Sequence, residues 1–257
     1  NLLRATGHAV QREYYINDAG RHVDILTASV WVRYLQTAGS TLPFPQNGYR
    51  ADYVNAIAAN LHAARGAALE HPDAAVLAGL PADAPEGDKE LYIDALIARM
   101  RALLGAAAYE AVLELSLAAM IADIRADLAA FGVEFEQWFS ERALARAGAV
   151  ERTLARLAAL GQTYEKDGAL WLRTTTHGDG EDRVLVRANG AQTYFAPDLS
   201  YHIDKRARGF ELMIDVWGAD HHGYVDRMRA GLIALGEPGA CFEVCLMQFV
   251  SLFRGGE

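Results

Sequence analysis

The sequence predicts an α/β protein in which a parallel, doubly wound sheet is interrupted by a mostly helical insertion. Three observations carry this. Short alternating apolar segments lie near both ends of the chain, and apolar spacings of three and four fill its middle. From residue 183 to 249, strand and helix patterns then alternate with short links, as parallel strands require. The 257 residues, 52% hydrophobic and 22% charged, suffice for one or two packed domains and are too apolar for disorder.

Residues 10–16 (VQREYYI) place Val10, Arg12, Tyr14 and Ile16 on one side of a strand. Asn17 or Asp18 can cap a helix through Val23, Leu26, Val30, Trp31, Tyr34 and Leu35. Pro43, Pro45 and Asn47-Gly48 break the period and mark a first boundary near residue 50. A short helix through Val54, Ile57, Ala58 and Leu61 follows, then a linker carrying Pro72, Pro81 and Pro85. Two helices are expected at 88–104, through Leu91, Ala95, Leu96, Met100 and Leu103, and at 106–130, ended by Gly132. Two short helices occupy 138–160, and Asp167-Gly168 turns a hairpin. Strands at Arg183–Arg187 and Gln192–Phe195 flank Asn189-Gly190. A helix from Asp198 to Arg208, the strand MIDVW, the loop GADHHGY, a helix through Met228, Leu232 and Leu235, and the strand FEVCLMQF complete the chain. The expected division is 1–50 and 177–257 as two parts of one domain, with 51–176 as a helical insertion ending in a small β element.

Composition excludes several functions. A net charge of -9 argues against nonspecific coating of nucleic acid or anionic membrane, while leaving room for a local basic patch. Cys241 and Cys245 are too few for a disulfide framework, read as buried core thiols, and favour a reducing interior. No apolar run approaches the roughly 20 residues that span a bilayer, and no signal peptide is read. Asn1 and the Gly255-Gly256-Glu257 end look like cuts through a longer protein.

Ligands of an open parallel sheet bind beyond the carboxyl ends of its strands. Three points fall there: Asn17-Asp18, Tyr194–Asp198, and the loop 218–224. In that loop Gly218 allows close backbone approach, and Asp220 suits a ribose diol; alternatively Asp220 caps the next helix and His221 and His222 are ordinary loop residues. A metal site is disfavoured because adjacent side chains rarely converge on one ion. Tyr194 and Asp198 suit a guanidinium, which pairs with a carboxylate while the phenol offers a hydroxyl or a π face. The alternative has Asp198 stabilising the first helical turn and Tyr194 packed in the sheet. Arg99, Arg101 and Arg125 read as a solvated, salt-paired face, and His8, His22, His62 and His71 receive no role.

The segments REYYINDAGRHVDIL (12–26), NGYRADYV (47–54), DRVLVRANGAQTYFAPDLSYHIDK (182–205), VWGADHHGYVDRM (216–228) and MQFVSLFRGGE (247–257) closely resemble, in order, those of bacterial-type arginyl-tRNA synthetase. The resemblance implies a class I synthetase with a Rossmann-like catalytic domain split by an insertion. Such enzymes activate L-arginine with ATP and Mg²⁺ to an adenylate, then transfer it to the terminal ribose of tRNA(Arg), without a bound prosthetic group or resident metal. It implies that Tyr194 and Asp198 hold the guanidinium, that Gly218 and Asp220 serve ATP, and that His221 contacts the substrate arginine; Asp18 lies where the pocket rim begins. A cytoplasmic monomer free of membrane is expected.

The departures matter too. The resemblance implies a His-x-Gly-His phosphate motif just before Asn1 and a KMSKS-type loop just after Glu257, and neither is in the sequence. The tRNA-contacting N-terminal domain and the anticodon-binding domain of the family are likewise absent from it. Because such catalysis is mostly positioning and charge stabilisation, no catalytic residue is assigned within the chain, and the piece alone is expected to be inactive. The competing reading is a noncatalytic arginine-, tRNA- or protein-binding module. A generic nucleotide-binding enzyme is disfavoured because no G-x-G-x-x-G or Walker loop follows any strand.

Overall fold

The computed structural model describes residues 2–251 and 253–255; Asn1, Gly256 and Glu257, read above as chain ends, and Leu252 of the last motif lie outside them. The chain forms two compact units, Asn1–Phe139 and Ser140–Glu257, each with its own apolar core.

The first unit is helical apart from one strand pair. It runs through α1 (Leu2–Ala5), β1 (Glu13–Ile16), α2 (Arg21–Thr37), α3 (Asp52–Arg65), α4 (Asp73–Leu77), α5 (Lys89–Ala130) and β2 (Gln137–Ser140), with β1 paired to β2. The apolar stripe of α2 is buried as expected, with Val30, Trp31, Tyr34 and Leu35 at its centre. Neither Asn17 nor Asp18 caps that helix: Gly20 is the N-cap, at φ 92, without a side-chain cap bond. The entry turn needs a left-handed residue, which glycine supplies without a Cβ penalty. Both expected helices lie within α5, separated by the single non-helical residue Gly105 (φ 70, ψ 169). The Asp88 carboxylate caps the first, accepting from the Glu90 and Leu91 backbone N–H groups at 2.7 and 3.3 Å. Its buried stripe is Tyr92, Ile93, Leu96, Ile97 and Met100, while Leu91 is exposed. Of the expected stripe, Leu96 and Met100 are thus buried and Leu103 packs against the core, while Leu91 faces outward.

Contrary to the expectation from apolar runs, α5 is long and apolar enough to cross a membrane by length and composition alone. That apolar stretch is 28% buried, and Tyr109, Val112, Leu113 and Leu117 of α5 join the core of this unit. The expected arginine face is more varied than a row of ion pairs. Arg101 pairs with Asp24 at 2.6 Å, Arg99 donates to the Ala75 carbonyl, and Arg125 lies over the Trp138 ring.

The second unit contains α6 (Glu141–Arg146), α7 (Ala149–Ala159), β3 (Thr163–Lys166), β4 (Ala169–Leu172), β5 (Arg183–Val186), α8 (Phe195–Ala207), β6 (Met213–Gly218), α9 (Val225–Ala234) and β7 (Phe242–Met247). Asp167 (φ 52) and Gly168 (φ 73) turn the β3–β4 hairpin, as the dipeptide predicts. Strand β5 extends this antiparallel sheet instead of joining a parallel one. The strand expected at Gln192–Phe195 is absent: Gln192 makes one isolated bridge to Val186, and Phe195 already opens α8. The parallel element is β6–α9–β7, in register from Met213↔Phe242 to Gly218↔Met247. Helix α9 lies close against α8, where a Cβ on Gly231 would stand 2.5 Å from Leu199 Cδ2 and 2.9 Å from the Phe195 ring. Cys241 is buried, but Cys245 on β7 is exposed, so only one of the two is a core thiol.

These units group the chain differently from the division at residues 50 and 176. Helix α2 shares one core with α3 and α5, whereas Val150, Leu157 and Leu172 share another with α8 and α9.

Candidate functional site

Helix α8 positions the first candidate pair. Tyr194 is its N-cap residue, so Tyr194 and Asp198 lie one turn apart on one side, and the Asp198 N–H donates to the Tyr194 carbonyl at 3.2 Å. The Tyr194 side chain is 82% exposed, not packed in a sheet. Asp198 is half-buried, and its Oδ2 accepts a 2.7 Å hydrogen bond from the Tyr224 hydroxyl. No side chain caps α8, and Asp198 is the acidic residue of its first turn, so it can stabilise that turn as well as face a ligand. Its Oδ1 has no hydrogen-bond partner among the described residues, leaving one carboxylate oxygen for a cation.

Burial raises the Asp198 pKa above the ordinary carboxylate value and outweighs the opposing Tyr224 hydrogen bond and the nearby His202 and Lys205 charges; Asp215 adds to the rise. Burial and the adjacent Asp198 charge push the Tyr224 phenol up strongly.

The second candidate group follows β6. Residues Ala219–Tyr224 form a 3₁₀ turn that leads straight into α9, whose N-cap, Tyr224, makes no side-chain cap bond. Asp220 therefore does not cap α9. At Gly218 a Cβ would lie 2.4 Å from Asp220 Oδ1, so the glycine lets that carboxylate fold back over the strand end. His221 Nδ1 stands 3.2 Å from Asp220 Oδ1, both side chains being exposed. His222 Nδ1 instead reaches the Ala219 carbonyl at 3.2 Å, so the two imidazoles do not act as a pair. Trp217 lies beside both His221 and Tyr224, with ring centroids 6.5 and 5.8 Å apart.

Behind Asp198 lies a group of charges that the sequence reading did not single out. His202 Nδ1 meets the Asp198 carbonyl at 2.7 Å and its Nε2 meets Asp215 Oδ2 at 2.8 Å. A carbonyl and a carboxylate are both acceptors, so the ring serves as a double donor. Lys205 Nζ donates to the other Asp215 oxygen at 2.8 Å. Burial opposes the Asp215 charge, but the His202 and Lys205 bonds and charges prevail and hold its pKa down at about 2.

Asp18 is buried just before α2, in the first unit. Among the described residues no group of three His, Cys, Asp or Glu side chains could hold a metal ion. Tyr194, Asp198, Gly218, Asp220 and His221 thus occupy the end of α8 and the turn after β6, and Tyr224 links the two.

In structure the chain resembles aminoacyl-tRNA synthetases. It matches a putative arginyl-tRNA synthetase from Campylobacter jejuni with TM-score 0.78 and 28% identity, covering 100% of this chain and 49% of that one. The Thermus thermophilus arginyl-tRNA synthetase gives TM-score 0.60 at 18% identity, over 96% of this chain and 43% of the other, a likeness of fold. In sequence the chain is similar to arginine–tRNA ligases: it is 55% identical to that of Thioalkalivibrio sulfidiphilus and spans 44% of its length. It is 50% identical to that of Hydrogenovibrio crunogenus, spanning 45% of it. Both matches cover 100% of the chain. The resemblance seen in the motifs is borne out along the whole sequence, although the chain spans less than half of the relatives' length. No protein-family model matches it.

Proposed function

We propose that this chain is the arginine-recognising part of an arginine–tRNA ligase, which activates L-arginine with ATP·Mg²⁺ and passes it to the terminal ribose of tRNA(Arg). One observation carries the reading: the half-buried Asp198 carboxylate keeps one oxygen without a partner among the described residues, one helical turn from the exposed Tyr194 phenol. A planar cation can donate to that oxygen while Tyr194 covers its face. Gly218 and Asp220 would take the ATP ribose, and His221 the arginine main-chain groups. In this reading β6–α9–β7 is part of a Rossmann-like catalytic domain, and the protein works as a cytoplasmic monomer.

A thermal-shift titration tests this. A non-hydrolysable arginyl-adenylate analogue at about 100 times its Kd should stabilise the chain by about 3 kcal/mol, read as a raised Tm, while the lysyl analogue leaves it unmoved. An equal response to the two analogues, or none to either, would overturn the assignment.

A further inference from the structure

We propose that Tyr224 is a positioning and specificity residue for arginine: its hydroxyl fixes the Asp198 carboxylate so that Oδ1 alone faces the substrate guanidinium. This rests on the arginine reading above and adds to it a residue that need not itself touch the substrate.

The geometry carries the argument. A half-buried aspartate at the start of a helix can rotate about χ2, which is broad and roughly two-fold for this side chain. The 2.7 Å bond from Tyr224 to Oδ2 removes that freedom. The phenol is itself held, packed edge-on against Phe195 at 6.1 Å and beside Trp217 at 5.8 Å. Phe195 lies three residues before Asp198 on α8, so ring and carboxylate are tied to one helix end. Because Tyr224 closes the 3₁₀ turn after β6, the same bond also sets where Gly218, Asp220 and His221 stand relative to Asp198.

The other groups around this pair give the pH behaviour its sign. From α8 come His202 and Lys205, and from β6 comes Asp215. The Arg227 guanidinium of α9 lies 5.0 Å from the Tyr224 ring. Arg183 of β5 also acts on the phenol, while its own guanidinium is paired with Asp179 and Glu181. Burial disfavours the Asp198 anion and the Tyr224 hydroxyl favours it. Without that hydroxyl the carboxylate protonates at higher pH, and the acidic limb of arginine binding moves upward.

The test is Tyr224→Phe in the full-length protein, assayed by arginine-dependent ATP–pyrophosphate exchange across the acidic to neutral range. Phenylalanine keeps the ring against Phe195 and Trp217, and a thermal melt verifies that it does. A lost bond to a charged group predicts an arginine KM raised about tenfold or more, with kcat and the ATP KM little changed. The rise should be steepest toward acid. A wild-type KM and an unshifted pH profile in Tyr224→Phe would overturn the inference, as would a KM increase that is the same at every pH. Absence of arginine-dependent exchange in the wild type would instead overturn the parent reading.

Discussion

In the full-length protein, Asp198→Asn is expected to abolish or nearly abolish arginine-dependent pyrophosphate exchange while leaving the fold intact. The amide can still accept from the Tyr224 hydroxyl, which lies 2.7 Å from the native Oδ2, so the local packing has no reason to collapse. The charge that selects a cation is lost. Truncating one member of a partly desolvated charge pair costs about 2–5 kcal/mol, roughly 30-fold or more in the arginine KM. Exchange at the wild-type rate, with an unaltered arginine KM, would remove Asp198 from the site.

The second large effect concerns stability. Asp215→Ala should destabilise the second unit by about 3 kcal/mol, because it leaves His202 and Lys205 facing each other without their shared carboxylate. The His202 side chain is only 3% exposed, so water cannot readily replace the lost partner. The sign of the pH dependence follows from the depressed Asp215 pKa, about 2 against an ordinary 3.8. A carboxyl whose folded pKa is lowered contributes stability above its unfolded value, and that contribution fades as pH falls through the folded one. Wild-type stability should therefore decline between about pH 4 and pH 2, and this part of the decline should vanish in Asp215→Ala. Denaturant melts at pH 7 and pH 3 measure both. Equal stability of the two proteins at pH 7 would show that the triad contributes nothing net.

How much of this was legible depended on whether the signal was local. The periods that bury Trp31 and Tyr34 in α2 and Leu232 in α9 are carried within one helix, and they placed those elements well. The α8 boundary was missed because Tyr194 and Phe195 read as the end of an alternating strand. Pro197 was the contrary clue, since proline fits the first turn of a helix and fits poorly inside a sheet. Tyr194 and Asp198 were recognised as neighbours through their four-residue spacing and the family motif. Tyr224 sits in the loop motif, but its partner lies 26 residues away in sequence and nothing periodic connects them, so its role is not legible there. Asp215 left a trace in the sequence: it shares the inward side of β6 with Met213 and Trp217, while Ile214 and Val216 face outward. An acid on the core side of a strand is a buried charge seeking partners.

The two sulfur atoms differ in a way that gives the molecule a chemical handle. Cys241 sits in the apolar core, where burial pushes its thiol pKa up, whereas Cys245 on β7 is open to solvent. A maleimide or alkylating label will consequently mark position 245 alone in the native chain and reach 241 only after unfolding. Labelling stoichiometry under increasing denaturant thus reports the opening of the second core directly, without an introduced cysteine.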